Sequence, residues 1–178
     1  ITARRNAVWA LTRIDTPAAR KATLPALTDD DSSVQQAAVH AVGIHRDSTA
    51  VSKLIPLLKS KSQHLRREAA TALGCIGDKL PVPALLTAAQ SGNDRALEHS
   101  IIYALIEIGD AKGVTVGLTS KNPYTQRAVL IALDQMPGAS LTAMQLLPRL
   151  ASNHEVLRET AVWIFERHPD LAKQMAGF

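Results

Sequence analysis

The chain has little of what braces or arms many proteins of its size. A single cysteine, Cys75, stands in 178 residues, which excludes an internal disulfide and a zinc site built from several thiolates. Aromatic residues make up only 3% of the chain, so the apolar interior must come from aliphatic and small side chains. No stretch approaches the roughly 18 consecutive apolar residues that a membrane-spanning helix needs. Glycine-rich phosphate loops, nucleophile elbows and metal-ligand helices are missing too. The first and last residues fall inside helical patterns, which makes both ends read as cuts through repeats of a longer parent and leaves compartment open.

What is present is one segment written six times. It begins at Ala3 (AlaArgArgAsnAlaValTrpAlaLeu), Val34 (ValGlnGlnAlaAlaValHisAlaVal), Leu65 (LeuArgArgGluAlaAlaThrAlaLeu), Leu97 (LeuGluHisSerIleIleTyrAlaLeu), Thr125 (ThrGlnArgAlaValLeuIleAlaLeu) and Val156 (ValLeuArgGluThrAlaValTrpIle). A period near 31 residues denotes a solenoid, in which each unit buries its apolar face only against its neighbours.

Taking the first residue of each copy as position 0, apolar or small residues recur at positions 0, 4, 7, 8 and 11. That is one face of a helix turning 100° per residue. Position 5, occupied by Val8, Val39, Ile102 and Leu130, is expected to face the adjacent helix. Glycines at 43, 74, 77 and 109 read as helix stops, and Asp15, Asp47, Asp78 and Asp110 as the next starts. Between the copies lie shorter apolar stretches in which Pro25, Pro56, Pro83 and Pro148 recur as Pro-x-Leu, predicting a bent helix at the same place in four units. The fourth unit lacks the proline, carries Gly113 and Gly117, and is expected to be the least regular.

A bent first helix, a short polar turn, and LeuArgArgGluAlaAlaThrAlaLeuGlyCysIleGlyAsp over residues 65–78 together resemble the HEAT repeat, in its bacterial form related to phycobilin-lyase repeats. The resemblance covers essentially the whole chain. It implies an all-α, right-handed α-solenoid of about five helical pairs with a leading half-repeat. The units would be 1–15, 16–46, 47–78, 79–110, 111–138 and 139–169, with a stub at 170–178. A narrower resemblance, carried by residues 94–110, 130–136 and 158–164, is to the helical segment of large bacterial membrane-bound dehydrogenases that also carry a c-type haem domain. The haem motif Cys-x-x-Cys-His is absent here, so that resemblance would leave this piece joining parts that do the redox chemistry, in an extracytoplasmic parent.

Two rows of side chains stand out as candidate sites. Positions 2, 6 and 9 point away from the buried stripe, yet Trp9, Tyr103, Ile106, Ile131 and Phe165 occupy them, with Val162 in the same register. Exposed apolar groups in such a row mark a partner surface, unless adjacent helices pack over them. A basic row at positions 1 and 2 comprises Arg4, Arg5, Arg66, Arg67, Arg127 and Arg158, with His99 in register. With a net charge of +4 it either tracks phosphates or pairs with carboxylates of its own turn or of the neighbouring repeat.

Other features have structural readings. Glu98 and His99 project about 100° apart on a helix and make no ready acid–base pair. Asp29, Asp30 and Asp31 lack the alternation of a calcium loop and read as a capping turn. The turn at 90–96 is longer than its counterparts and is expected to protrude as a contact loop.

These observations support an interaction or domain-joining scaffold that is not itself an enzyme and needs no cofactor or metal. Its partner would be another protein or neighbouring domains, with self-association possible through the cut ends. A nucleic-acid-binding module on the arginine row and a bilin-lyase-like protein holding a tetrapyrrole in its groove are the alternatives.

Overall fold

A computed structural model describes residues 1–92 and 94–175, and among them every regular element is helical. Six long helices carry the repeated segment: α1 (Thr2–Ile14), α3 (Ser32–Ile44), α5 (Gln63–Ile76), α7 (Arg95–Ile108), α9 (Pro123–Gln135) and α11 (Glu155–Arg167). They alternate with short ones: α2 (Pro17–Thr23), α4 (Val51–Leu54), α6 (Val82–Ala88), α8 (Ala111–Thr115), α10 (Ala143–Leu150) and α12 (Pro169–Met175). Successive long helices pack side by side, α1 on α3, α3 on α5 and so on to α11, and the short helices form a second layer against them. The result is an all-α solenoid whose core is a continuous strip between the layers.

The strip is built largely from alanine and leucine. Ala38, Ala69, Ala70, Ala104, Ala128 and Ala132 are fully buried alongside Leu54, Leu73, Leu85, Leu105 and Leu146. Position 5 lies in this core, with Val8, Val39, Ile102 and Leu130 all buried. The stripe breaks at its two ends: Ile14 is exposed in α1, and Trp163 replaces the alanine of position 7 in α11 and is 40% exposed.

Two of the four glycines read as helix stops have another role. Gly77 and Gly109 do end helices in the left-handed region, at φ 78° and 68°, where a side chain would be strained. Gly43 and Gly74 instead lie inside α3 and α5. A Cβ on Gly43 would stand 3.0 Å from Ala72 Cα, and one on Gly74 would stand 2.7 Å from Ala104 Cα. Position 9 of one copy thus meets position 7 of the next, and small residues there let the long helices approach closely.

The proline expectation also needs correcting. Pro25 and Pro56 open 3-10 turns at Leu24–Thr28 and Ile55–Lys59, and Pro148 lies inside α10. Pro83, however, sits in the first turn of α6, where its missing N–H costs nothing. The fourth unit forms the same 3-10 turn at Val116–Thr119 without a proline. Gly117 permits it, since a Cβ there would meet Val129 Cγ2 at 2.6 Å.

In the long turn at 90–96, Gln90, Ser91, Gly92, Arg95 and Ala96 are exposed and Asn93 lies outside the described residues; the turn rests on the start of α9. Asn122 Nδ2 donates to the Gln90 carbonyl at 3.4 Å, and Gly92 abuts the Tyr124 ring. Asp94 is buried at the start of α7. The terminal stub is helical through α12, and residues 176–178 lie outside the described residues. No helix among the described residues is long and apolar enough to cross a membrane.

Candidate functional site

The long-helix layer presents the candidate residues, and the turns before its helices decide which arginines are available. Asp31, Ser62, Asp94 and Asn122 cap α3, α5, α7 and α9 by accepting from backbone N–H groups of the first turn. A side chain in the first turn of three long helices, at position 1 in two copies and position 2 in the last, reaches back six residues to a carbonyl of the preceding turn: Arg66 Nη1 donates to Ser60 O and Arg158 Nη1 to Ser152 O, both at 2.9 Å, and Gln126 Nε2 to Ser120 O at 2.6 Å.

Most of the basic row is therefore consumed by the fold. Arg4 grips Asp29 through Nε at 2.9 Å and Nη2 at 3.0 Å. Arg67 holds Asp94 Oδ1 at 2.8 Å, and Arg66 lies 3.6 Å from Asp94 Oδ2. Burial pushes the Asp94 carboxyl up, but the Leu97 N–H and the Arg67 and Arg66 guanidiniums outweigh it and hold it below the usual carboxylate range. Arg127 pairs with Glu98 of the preceding unit and donates to Thr160 Oγ1 of the next at 3.1 Å. Among the described residues Arg5 makes no ion pair and His99 no hydrogen bond. The acidic turn is a cap and a pairing site, as its sequence indicates: Asp31 accepts from Ser33 N and Asp29 takes Arg4.

The five candidate apolar residues do not form one surface. Tyr103, Ile106 and Ile131 come together in a groove of about 290 Å³ between α7 and α9, whose remaining wall includes Ile102, Arg95, His99 and the Arg127–Glu98 pair. Tyr103 is 39% exposed, whereas Ile106 and Ile131 rest half-buried on the core as its floor. Glu107 and Cys75 flank the Tyr103 hydroxyl, and repulsion from the Glu107 carboxylate leads the influences that push this phenol up. Trp9 belongs to a second groove, on α1, α3 and α5. Phe165 packs half-buried against the core and lines neither groove.

Sequence reasoning missed His40, Glu68 and Arg95. His40 holds position 6, between Trp9 and Tyr103 in the register, and that position was the available signal. No such signal marked Glu68, whose partner lies 28 residues away. Among the described residues no three histidines, cysteines or carboxylates gather in a way that would hold a metal ion.

Comparison with known proteins gives this geometry a context. The HEAT repeats family matches residues 1–63 and 41–106. The bilin biosynthesis protein PecE of Mastigocladus laminosus is 31% identical over 123 residues, 64% of this chain and 46% of that protein. Deoxyhypusine hydroxylase of Arabidopsis thaliana is 26% identical over 174 residues, 96% of this chain and 53% of that protein. The chain spans about half the length of the curated relatives it matches. Among solved structures, the CpcE–CpcF complex of phycocyanin lyase from Nostoc sp. PCC7120 superposes with a TM-score of 0.59 at 24% identity, covering 93% of this chain and 71% of that one. The archaeal HEAT-like repeats protein from Thermococcus onnurineus NA1 gives 0.62 at 16% identity, covering 93% and 78%.

These relatives overturn the expectation of a segment that is not an enzyme. The relatives include a bilin biosynthesis protein and a hydroxylase, and the lack of a familiar catalytic motif was no guide because one fold hosts many unrelated activities. Matched by its repeats over more than half its length and folded as an α-solenoid, the chain belongs to the HEAT repeat family.

Proposed function

We propose that this chain is the ligand-holding HEAT module of a bilin-handling, lyase-type enzyme, and that it works against a protein partner. The observation that carries this reading is the groove between α7 and α9. Its apolar floor of Ile102, Ile106 and Ile131 and its Tyr103 wall adjoin Arg95 and His99 at one end. A bilin is a linear tetrapyrrole with a long conjugated body and propionate side chains. The floor and the Tyr103 ring suit the body; Arg95 and His99, near the positive end of the α7 macrodipole, suit a propionate.

At about 290 Å³ the groove is at the lower end of small-molecule sites. A bilin seated there would keep part of its length outside, accessible to a second protein. The 31% identity to PecE supports the ligand class, and the paired assembly of CpcE with CpcF supports a protein partner. Nucleic acid is less well supported, because Arg4, Arg66, Arg67 and Arg127 are already paired with carboxylates.

The test is titration of the chain with biliverdin, followed by visible circular dichroism. A saturable induced band is expected, with affinity about tenfold weaker, or about 1.4 kcal/mol, in Tyr103→Ala and in Arg95→Ala. No induced band, or one indifferent to both substitutions, would overturn the reading.

A further inference from the structure

The groove on α1, α3 and α5 has no part in the bilin reading and carries a site of its own, with a volume of about 460 Å³. Three successive long helices each contribute to it. From α1, Trp9 is 40% exposed. From α3, His40 meets it with ring centroids 5.4 Å apart and planes tilted by 59°. From α5, Glu68 Oε1 lies 2.8 Å from His40 Nδ1. The indole is thus in contact with an imidazole that a carboxylate anchors, and it remains partly open on the groove.

The polar groups are disposed for a ligand. In the neutral tautomer in which Nδ1–H donates to Glu68, His40 has Nε2 as an acceptor, and Nε2 makes no hydrogen bond among the described residues. Arg5 lines the groove and makes no ion pair among the described residues, in contrast to Arg4, Arg67 and Arg127, which are engaged by Asp29, Asp94 and Glu98. Glu68, the carboxylate of this groove, stands on α5 with α3 between it and Arg5 on α1, and its charge is directed at His40.

We propose that this groove binds a planar aromatic carboxylate bearing a hydroxyl or N–H donor. The ring lies against Trp9, the carboxylate takes the Arg5 guanidinium, and the donor is received by His40 Nε2, which Glu68 holds in the required tautomer and orientation. Glu68 is thus a positioning residue and touches no ligand.

The test is calorimetric titration of the chain with 6-hydroxy-2-naphthoate. One saturable site is expected, about tenfold weaker in Arg5→Ala and weakened to a smaller extent in Glu68→Gln. 2-Naphthoate, which lacks the hydroxyl, should bind the wild type more weakly and lose little further affinity in Glu68→Gln, an effect that mere loss of packing would not produce. Arg158→Ala, at a remote unit, should leave binding unchanged, and thermal melts of each variant separate lost binding from lost folding. Absence of saturable heat, or an affinity indifferent to both Arg5→Ala and Trp9→Leu, would overturn the proposal. Tyr103→Ala should not affect naphthoate binding, so failure here and failure of the bilin reading are told apart.

Discussion

Gly74 and Ala104 are in backbone contact across two repeats: a Cβ placed on Gly74 would lie 2.7 Å from Ala104 Cα. The atom in the way is main chain and cannot swing aside, so α5 and α7 must separate to admit a methyl group. Gly74→Ala is expected to destabilise the chain by about 1–3 kcal/mol, and Gly43→Ala, whose contact with Ala72 is 3.0 Å, by less. Thermal melting checks the order. In a double-mutant cycle, Ala104→Gly should restore less than half the loss, because the obstructing atom includes Ala104 Cα.

The Arg67–Asp94 pair predicts a pH effect of definite sign. Asp94 is held below the ordinary carboxylate range in the fold, so it binds protons less readily folded than unfolded. Its contribution is complete above the ordinary carboxylate value and is lost as pH falls through that value toward the lowered one. Asp94→Asn should flatten the acid limb of the stability curve, as followed by helical circular dichroism during acid titration. Near neutrality it should cost about 1 kcal/mol, since asparagine still caps α7 but loses the charge-assisted bonds.

Arg127 bridges three units through Glu98 and Thr160. Side chains 27% and 16% exposed make this pair less screened than a surface one. The Arg127→Ala and Glu98→Ala cycle should yield a coupling of about 1 kcal/mol, measured by urea unfolding. The same cycle on Arg20 and Asp15, both more than 40% exposed, should yield less.

Tyr103 supplies a spectroscopic check on the α7 surface. Its phenol is pushed up chiefly by the Glu107 carboxylate, so Glu107→Gln should shift the phenolate absorbance near 295 nm to lower pH. An unchanged titration would mean that Glu107 does not govern this hydroxyl.

Much of the architecture was legible because helical burial is a local property. A residue at 100° intervals from its neighbours declares its face, and on that basis Val8, Val39, Ile102 and Leu130 were correctly placed in the core. The same logic misjudged Gly43 and Gly74, since a glycine near a helix end looks alike whether it stops the helix or admits a neighbour. The apolar row was only half legible: Tyr103, Ile106 and Ile131 converge, while Trp9 and Phe165 go elsewhere.

By itself the sequence determined the period, the alternation of long and short helices, the buried face of each and the family, because these follow from spacing within about thirty residues. Only the tertiary structure decided which arginines are spent, that Glu68 orients His40 beside Trp9, and that Arg5 lines a groove without an ion-pair partner among the described residues. Those relationships join side chains on different units, and they depend on how far each unit is rotated and offset from the last. That offset is set by the summed packing of glycine, alanine and leucine between the layers, which no single helix encodes.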